Sequence, residues 1–123
     1  AVAREQYNRA LDRLHEVVVL DETDIIRDSM IQRFEFTYEL GWKCMFYWLR
    51  AQGESVLEMQ RPILQAAFRC ELIVDPKVWE EIKEQRDETS HTYNEAKAVR
   101  VAAFIRSHAL AEFDALRVKF NSL

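Results

Sequence analysis

The chain has 123 residues, with 21 acidic and 17 basic side chains and a net charge of −4 at neutral pH. This length fits a single domain that spans residues 1–123. The negative charge argues against broad, nonspecific nucleic-acid binding, which rests on a basic surface. Hydrophobic residues make up 49% of the chain, and only two glycines and two prolines interrupt it. All-β folds need frequent turn residues, so the composition predicts an all-α protein.

The cellular setting is predicted from what the sequence lacks. No apolar run approaches the ~20 residues of a membrane span, and no signal peptide is evident, so a cytoplasmic protein without membrane contact is expected. Cys44 and Cys70 lie in hydrophobic contexts without metal-ligand spacing, which predicts buried, reduced thiols. No cofactor or metal site is expected.

The first two predicted helices are long. Helix one runs from about Val2 to Val19, with apolar residues at helical spacing. The polar linker Asp21–Asp24 then supplies an N-cap. Helix two runs from about Asp24 to Gln52 and ends near Gly53.

Helix two is apolar around much of its circumference. It holds seven of the fourteen aromatic residues of the chain, whereas an ordinary surface helix has one apolar face. Its long stripe comprises Ile26, Met30, Phe34, Thr37, Gly41, Cys44 and Trp48. A second stripe comprises Phe36, Leu40 and Tyr47. Helix two is therefore predicted to be the centre of the bundle and to be covered in part by a second subunit.

Three further helices are predicted after Gly53. The first is short and carries Pro62 in its first turn, and a fourth helix starts at Asp75-Pro76 and runs to about Glu88. The segment Thr92–Glu95 has the form of a capping box, so the last helix is expected to run from Tyr93 to about Phe120. Its predicted core side comprises Val99, Ala103, Leu110, Phe113, Leu116 and Phe120. The expected fold is an up-and-down four-helix bundle with a short additional helix.

Arg86 and His91 are the candidate residues for chemistry. Arg86 continues the apolar stripe of Trp79 and Ile82, and no acidic residue lies three or four positions from it. Its guanidinium therefore needs a carboxylate on another helix or subunit, or a phosphate. His91 follows five residues later and could move protons near neutral pH. The pair fits phosphodiester cleavage without a metal, and the alternative is an interhelix salt bridge at Arg86 with a loop histidine bonded to backbone.

Two segments of the chain resemble the HEPN superfamily. The stretch from Arg86 to Tyr93 matches the R-x4-H-x-Y signature of HepT-like toxins. The stretch from Arg33 to Lys43 resembles the second-helix hallmark of the branch called nucleotidyltransferase substrate-binding proteins. The resemblance covers roughly Met30 to Leu110 and implies a HEPN-like bundle that forms homodimers, with a tetramer as the larger alternative. It also implies a minimal nucleotidyltransferase partner that is encoded nearby.

The resemblance implies roles for three residues. In HepT-like toxins the motif arginine and histidine, here Arg86 and His91, form a ribonuclease site at the dimer cleft, so RNA is the expected substrate. The motif tyrosine, here Tyr93, receives AMP from the partner, which silences the toxin. Many relatives carry asparagine where this chain has Asp87, which Lys83 can neutralise. Two other functions remain as alternatives: a noncatalytic subunit that lends a nucleotidyltransferase its substrate-binding surface, and a pure oligomerisation module, which would need none of the three residues. For Tyr93 the alternative is an aromatic ring that merely packs against the bundle.

Overall fold

A computed structural model describes residues 2–89 and 94–123 as a bundle of helices. The helices are α1 (Val2–Val18), α2 (Asp24–Ala51), α3 (Gln60–Arg69), α4 (Pro76–Thr89), α5 (Glu95–Phe104) and α6 (Leu110–Asn121). A π-helical turn, Ile105–Ala109, joins α5 directly to α6, so these two form one long helix. The predicted all-α bundle of four long helices and one short helix is confirmed for this part of the chain. None of its helices is both long and apolar enough to cross a lipid bilayer.

Helix α2 is the centre of the bundle. It packs along α1 and also contacts α3, α4, α5 and α6. Its first predicted stripe is buried at Met30, Phe34, Thr37, Gly41 and Cys44. Its second stripe faces outward, where 56% of Phe36 and 54% of Tyr47 are exposed. The same helix therefore supplies the core and an exposed aromatic face.

Two helix starts are capped where the sequence predicts a cap, within the linker Asp21–Asp24 and at Asp75. The hydroxyl of Thr23 accepts a hydrogen bond of 3.2 Å from the backbone N–H of Ile26, at the start of α2. The carboxylate of Asp75 accepts one of 3.0 Å from the N–H of Lys77, at the start of α4. Each side chain satisfies a backbone donor that has no partner inside its helix.

The start of the last helix differs from the prediction. Helix α5 begins at Glu95, and its N-cap is Asn94, whose side-chain oxygen accepts a 3.0 Å hydrogen bond from the N–H of Lys97. The predicted capping box beginning at Thr92 and the predicted helix start at Tyr93 are therefore wrong. The amide of Asn94 fills the capping position two residues later.

The π-helical turn also corrects the predicted core face of the last helix. The C-terminal half is buried as predicted, at Phe113, Leu116 and Phe120. Val99 and Ala103 are exposed, and Ala98 and Ala102, each one position earlier, are buried instead. The N–H of Leu110 bonds to the carbonyl five residues earlier, so the turn holds one more residue than an α-helical turn. Because of this extra residue, each buried position before the turn lies one residue earlier in the sequence than predicted.

Both cysteines are free thiols, as predicted. Cys44 is also buried as predicted, whereas Cys70 is only partly buried, so the prediction of burial is wrong for Cys70. Burial raises the pKa of the Cys44 thiol to about 11, which keeps it protonated at neutral pH.

Candidate functional site

Arg86 lies in the last turn of α4, where α4 packs on α2. Trp79 and Ile82 precede it on the same face and are buried, with 1% and 0% of their surfaces exposed. The Arg86 side chain is 24% exposed. The apolar stripe thus carries the guanidinium to the edge of the core, as the sequence predicts, with part of its surface open to solvent.

Two carboxylates of α2 hold the Arg86 guanidinium. Its Nη1 lies 3.1 Å from Oε2 of Glu35, and its Nε lies 3.4 Å from Oε1 of Glu39. The two acids are four residues apart and so share one face of α2. The interhelix salt bridge that the sequence left open is present, and both of these acids belong to the same chain. The Nε–H is buried and makes no hydrogen bond within the described residues, so its contact with Glu39 is an ion pair.

Thr89 joins this ion pair to the end of α4. Its Oγ1 lies 2.8 Å from Oε2 of Glu35 and 2.7 Å from the backbone carbonyl oxygen of Arg86. A hydroxyl can donate one hydrogen and also accept. The Thr89 hydroxyl accepts a long hydrogen bond of 3.5 Å from Nη1 of Arg86. Glu35, Arg86 and Thr89 therefore form one network, which fixes the carboxylate and the guanidinium relative to each other.

Aromatic side chains support the second acid. The indole N–H of Trp42 donates a 3.1 Å hydrogen bond to Glu39. Nearby, the buried hydroxyl of Tyr38 donates a 2.7 Å hydrogen bond to the side-chain oxygen of Gln60. Burial first, and then the negative charges of Glu39 and Asp87, raise the pKa of Tyr38, so this tyrosine stays neutral and serves as a donor.

Two further acids near the end of α4, Asp87 and Glu88, have basic partners. Nζ of Lys83 lies 2.9 Å from Oδ2 of Asp87, which is the pair that the sequence predicts. Nζ of Lys97 on α5 lies 2.9 Å from Oε2 of Glu88. Asp87, which stands where many relatives carry asparagine, thus has its negative charge balanced by Lys83.

The other two predicted site residues, His91 and Tyr93, lie outside the described residues, which stop at Thr89 and resume at Asn94. Proton transfer by His91 and AMP acceptance by Tyr93 therefore stay predictions. The chain's other histidines make contacts between and within helices. Nε2 of His15 lies 2.6 Å from Oδ1 of Asp114, and His108 stacks on Phe104 with ring centroids 5.3 Å apart.

Sequence reasoning missed the roles of Glu35, Glu39 and Thr89. One signal was available: Glu35 has no basic residue three or four positions away on α2, just as Arg86 has no acidic one on α4. Two charged side chains that each lack a local partner are candidates for pairing with each other. The side chains lie 51 positions apart, so only the packing of α4 on α2 brings them together.

Within the described residues the arrangement offers a partly exposed guanidinium to an anion, and it is not built as a metal site. A guanidinium with fixed orientation and partial exposure binds phosphate oxygens by charge-assisted hydrogen bonds. Within residues 2–89 and 94–123, no three His, Cys, Asp or Glu side chains are grouped to hold a metal ion. Any anion would approach Arg86 from the side left open by the α2 carboxylates.

Comparisons with known proteins agree with this architecture. A family model described as nucleotidyltransferase substrate binding protein like matches residues 3–122. A probable ribonuclease HepT from Haemophilus influenzae is 35% identical over 92 residues, which cover 68% of this chain and 63% of that protein. The chain thus matches less than two thirds of that relative's length. A protein of known crystal structure from Thermus thermophilus superimposes with a TM-score of 0.77 at 28% identity, covering 94% of this chain and 96% of that one.

Proposed function

This chain belongs to the nucleotidyltransferase substrate-binding protein-like family, and from that premise we propose that it is a HepT-like, metal-independent endoribonuclease toxin. Arg86 and His91 are the proposed catalytic residues, and RNA is the proposed substrate. The name of the Haemophilus influenzae relative, a probable ribonuclease, supports this reaction class. The toxin is proposed to act with a nucleotidyltransferase as its antitoxin.

The observation that carries the proposal is the fixed position of Arg86. Glu35 and Glu39 contact it at Nη1 and Nε, so the guanidinium is oriented before any substrate arrives. A group that is already oriented stabilises developing charge without the cost of reorganising during the reaction. Arg86 would thus stabilise the extra negative charge on phosphorus in the transition state.

His91 supplies the proton transfer in this proposal. RNA carries its own nucleophile, the 2′-hydroxyl next to each phosphodiester bond. An imidazole can take the proton from that hydroxyl as the new P–O bond forms, and the proton then reaches the departing 5′-oxygen. With Arg86 balancing the phosphate charge, such cleavage needs no metal ion.

The proposed partner is a minimal nucleotidyltransferase encoded nearby, in keeping with the family's name. It would transfer AMP to Tyr93 and so switch the ribonuclease off. Tyr93 lies two residues from His91 and seven from Arg86 in the sequence. A phosphate placed there could take the guanidinium that substrate needs.

A second candidate function rests on the charge around Arg86. Two carboxylates contact this one guanidinium, so the local charge is negative and opposes phosphate binding. This favours a noncatalytic subunit whose surface presents a substrate to the nucleotidyltransferase. In that case Arg86 would serve the fold, and the chain alone would leave RNA intact.

The experiment that separates the two candidates is RNA cleavage by the purified chain without its partner. A mixed-sequence RNA labelled at one end should be cut in buffer containing EDTA, because the proposed mechanism needs no metal. Intact RNA at a large molar excess of the unmodified chain would support the substrate-binding candidate. Mass spectrometry of the protein before the assay confirms that it carries no AMP.

We also propose a homodimer formed through the outward face of α2. Its exposed aromatics, Phe36 and Tyr47, flank the partly buried Leu40. Stable interfaces bury about 1,200–2,000 Å² in total, and these exposed aromatic residues would form the apolar centre of such an interface. Light scattering at low micromolar concentration should give about twice the chain mass of 14.6 kDa.

Charge substitutions locate that interface. Phe36→Glu should convert the dimer to a monomer, because dimerisation of this variant would bury an unpaired carboxylate, which is energetically unfavourable. The matched control is Val118→Glu, since Val118 is 67% exposed and belongs to another helix, α6. A monomeric wild type, or equal dissociation by both variants, would contradict the assignment of this face.

A further inference from the structure

A cleft lies beside the Arg86 network, between α2, the end of α4 and the start of α5. Its volume is about 280 Å³, close to the lower end of small-molecule sites, roughly 300–1,000 Å³. Ile31, Ala98 and Val101 give it an aliphatic wall, and polar side chains line the rest. An apolar wall with a few polar groups around it is the usual design of a site for a small, partly polar ligand.

The cleft shares two residues with the network that orients Arg86. Glu35 and Thr89 both line it, and both also contact the Arg86 side chain. A ligand in the cleft would therefore lie next to the guanidinium. A nucleotide fits this arrangement, because its base could lie in the cleft while its phosphate lies near the guanidinium.

The charges of the cleft suit a base and not a phosphate. Carboxylates of Asp28, Glu35 and Glu88 line it, and Lys97, which also lines it, pairs with Glu88 at 2.9 Å. These carboxylates repel phosphate but accept hydrogen bonds from amino groups. Glu and Asp accept from the exocyclic amine of cytosine, and a Gln amide pairs with adenine; Gln32 also lines the cleft.

We propose that this cleft binds a nucleobase that carries an exocyclic amino group, with Ile31, Ala98 and Val101 against the ring and Gln32 and Glu35 at its edge. The inference rests on the proposed function, because the base would belong to a nucleotide whose phosphate meets Arg86. Two sources share this chemistry: the RNA nucleotide beside the scissile bond, and the adenine of AMP carried on Tyr93.

Binding of free nucleosides tests the cleft without requiring cleavage. Calorimetry or ligand-observed NMR on the full chain should show adenosine or cytidine binding at least about 10-fold tighter than uridine, since one good base-edge pair is worth roughly 1–3 kcal/mol. Ala98→Leu, which fills the apolar wall, should weaken that binding about 10-fold or more. The matched control is Ala103→Leu, because Ala103 is exposed on the same helix. Gln32→Ala should remove the preference for adenosine over uridine without filling the cleft, because Gln32 is the residue that pairs with adenine.

The two sources separate in further arms of the same experiment. If RNA supplies the base, Ala98→Leu should lose the wild-type preference for cutting beside amino-bearing bases. If AMP supplies it, the AMP-modified chain should no longer bind free adenosine. Equal nucleoside binding by wild type and Ala98→Leu, no selectivity over uridine, or binding of a lysine-rich peptide in place of nucleosides would overturn the proposal. A chain that binds nucleosides selectively but never cuts RNA would contradict the ribonuclease and leave the cleft assignment standing.

Discussion

Replacing His91 by alanine should lower the rate of RNA cleavage roughly 100- to 10,000-fold, the usual contribution of general acid–base catalysis. The loss follows because no other group is proposed to move the proton between the 2′-hydroxyl and the departing oxygen. The measurement is the single-turnover rate on an end-labelled RNA in EDTA. Thermal unfolding followed by circular dichroism should show a bundle with nearly unchanged stability.

The matched control for His91 is His108→Ala. His108 lies exposed in the π-helical turn and stacks on Phe104 at the end of α5. Its loss should therefore leave the cleavage rate within about 2-fold of wild type. Equal rates for His91→Ala and wild type would remove His91 from the mechanism. A similar loss in both variants would point to a structural effect.

Arg86 needs a more conservative change, because it also links α4 to α2 through its two ion pairs. Arg86→Ala would leave Glu35 and Glu39 without their shared cation, and an unpaired, partly buried charge costs roughly 1–3 kcal/mol. Arg86→Lys keeps the positive charge between the two carboxylates but loses the planar fork. It should retain the fold and still reduce cleavage about 100-fold, the typical effect of removing one transition-state donor.

The second large effect should follow the attachment of AMP to Tyr93. In the proposed step the Tyr93 oxygen forms a bond to the α-phosphorus of ATP, pyrophosphate leaves, and the phenol proton passes to a base on the partner. Incubation with the nucleotidyltransferase, ATP and Mg²⁺ should add one or more AMP units to the peptide that contains Tyr93. Cleavage should fall in proportion to the modified fraction, because the new phosphate competes with RNA for Arg86.

The other tyrosines provide controls for this modification. Tyr7 and Tyr38 are buried, with 1% and 0% of their surfaces exposed, whereas Tyr47 is 54% exposed. Tyr93→Phe should abolish AMP transfer, and Tyr47→Phe should leave it intact. AMP on the Tyr47 peptide, or none on either, would leave Tyr93 as a packing residue and reduce the partner's role to simple binding.

The sequence predicts the helices well because their signals are local. The caps at Asp75 and within the linker Asp21–Asp24, like the two stripes of α2, each depend on residues within a few positions. In the last helix, the predicted core positions on the N-terminal side of the π-helical turn are wrong by one residue. The single extra residue in that turn leaves no local signal in the sequence. The start of this helix was misplaced for a related reason: Thr92 and Asn94 both suit an N-cap, and the fold uses the second.

The site was only half predictable. The position of Arg86 follows from the apolar stripe of Trp79 and Ile82 on its own helix. Its partners, Glu35 and Glu39, lie about fifty residues earlier in the sequence, and their identity depends on how α4 packs against α2. The cleft walls likewise come from α2, α4 and α5 together, so spacing along one helix could not indicate them.

The chemical form of the cleaved ends tests the central claim most directly. The purified, unmodified chain is incubated in EDTA with a short RNA, and the products are analysed by mass spectrometry. Attack by the 2′-hydroxyl, assisted by Arg86 and His91, predicts a 2′,3′-cyclic phosphate on one fragment and a 5′-hydroxyl on the other. A single 2′-deoxy substitution at the cut site should abolish that cut. Cleavage that survives this substitution, cleavage that appears only when Mg²⁺ is added, or RNA that stays intact would contradict the account.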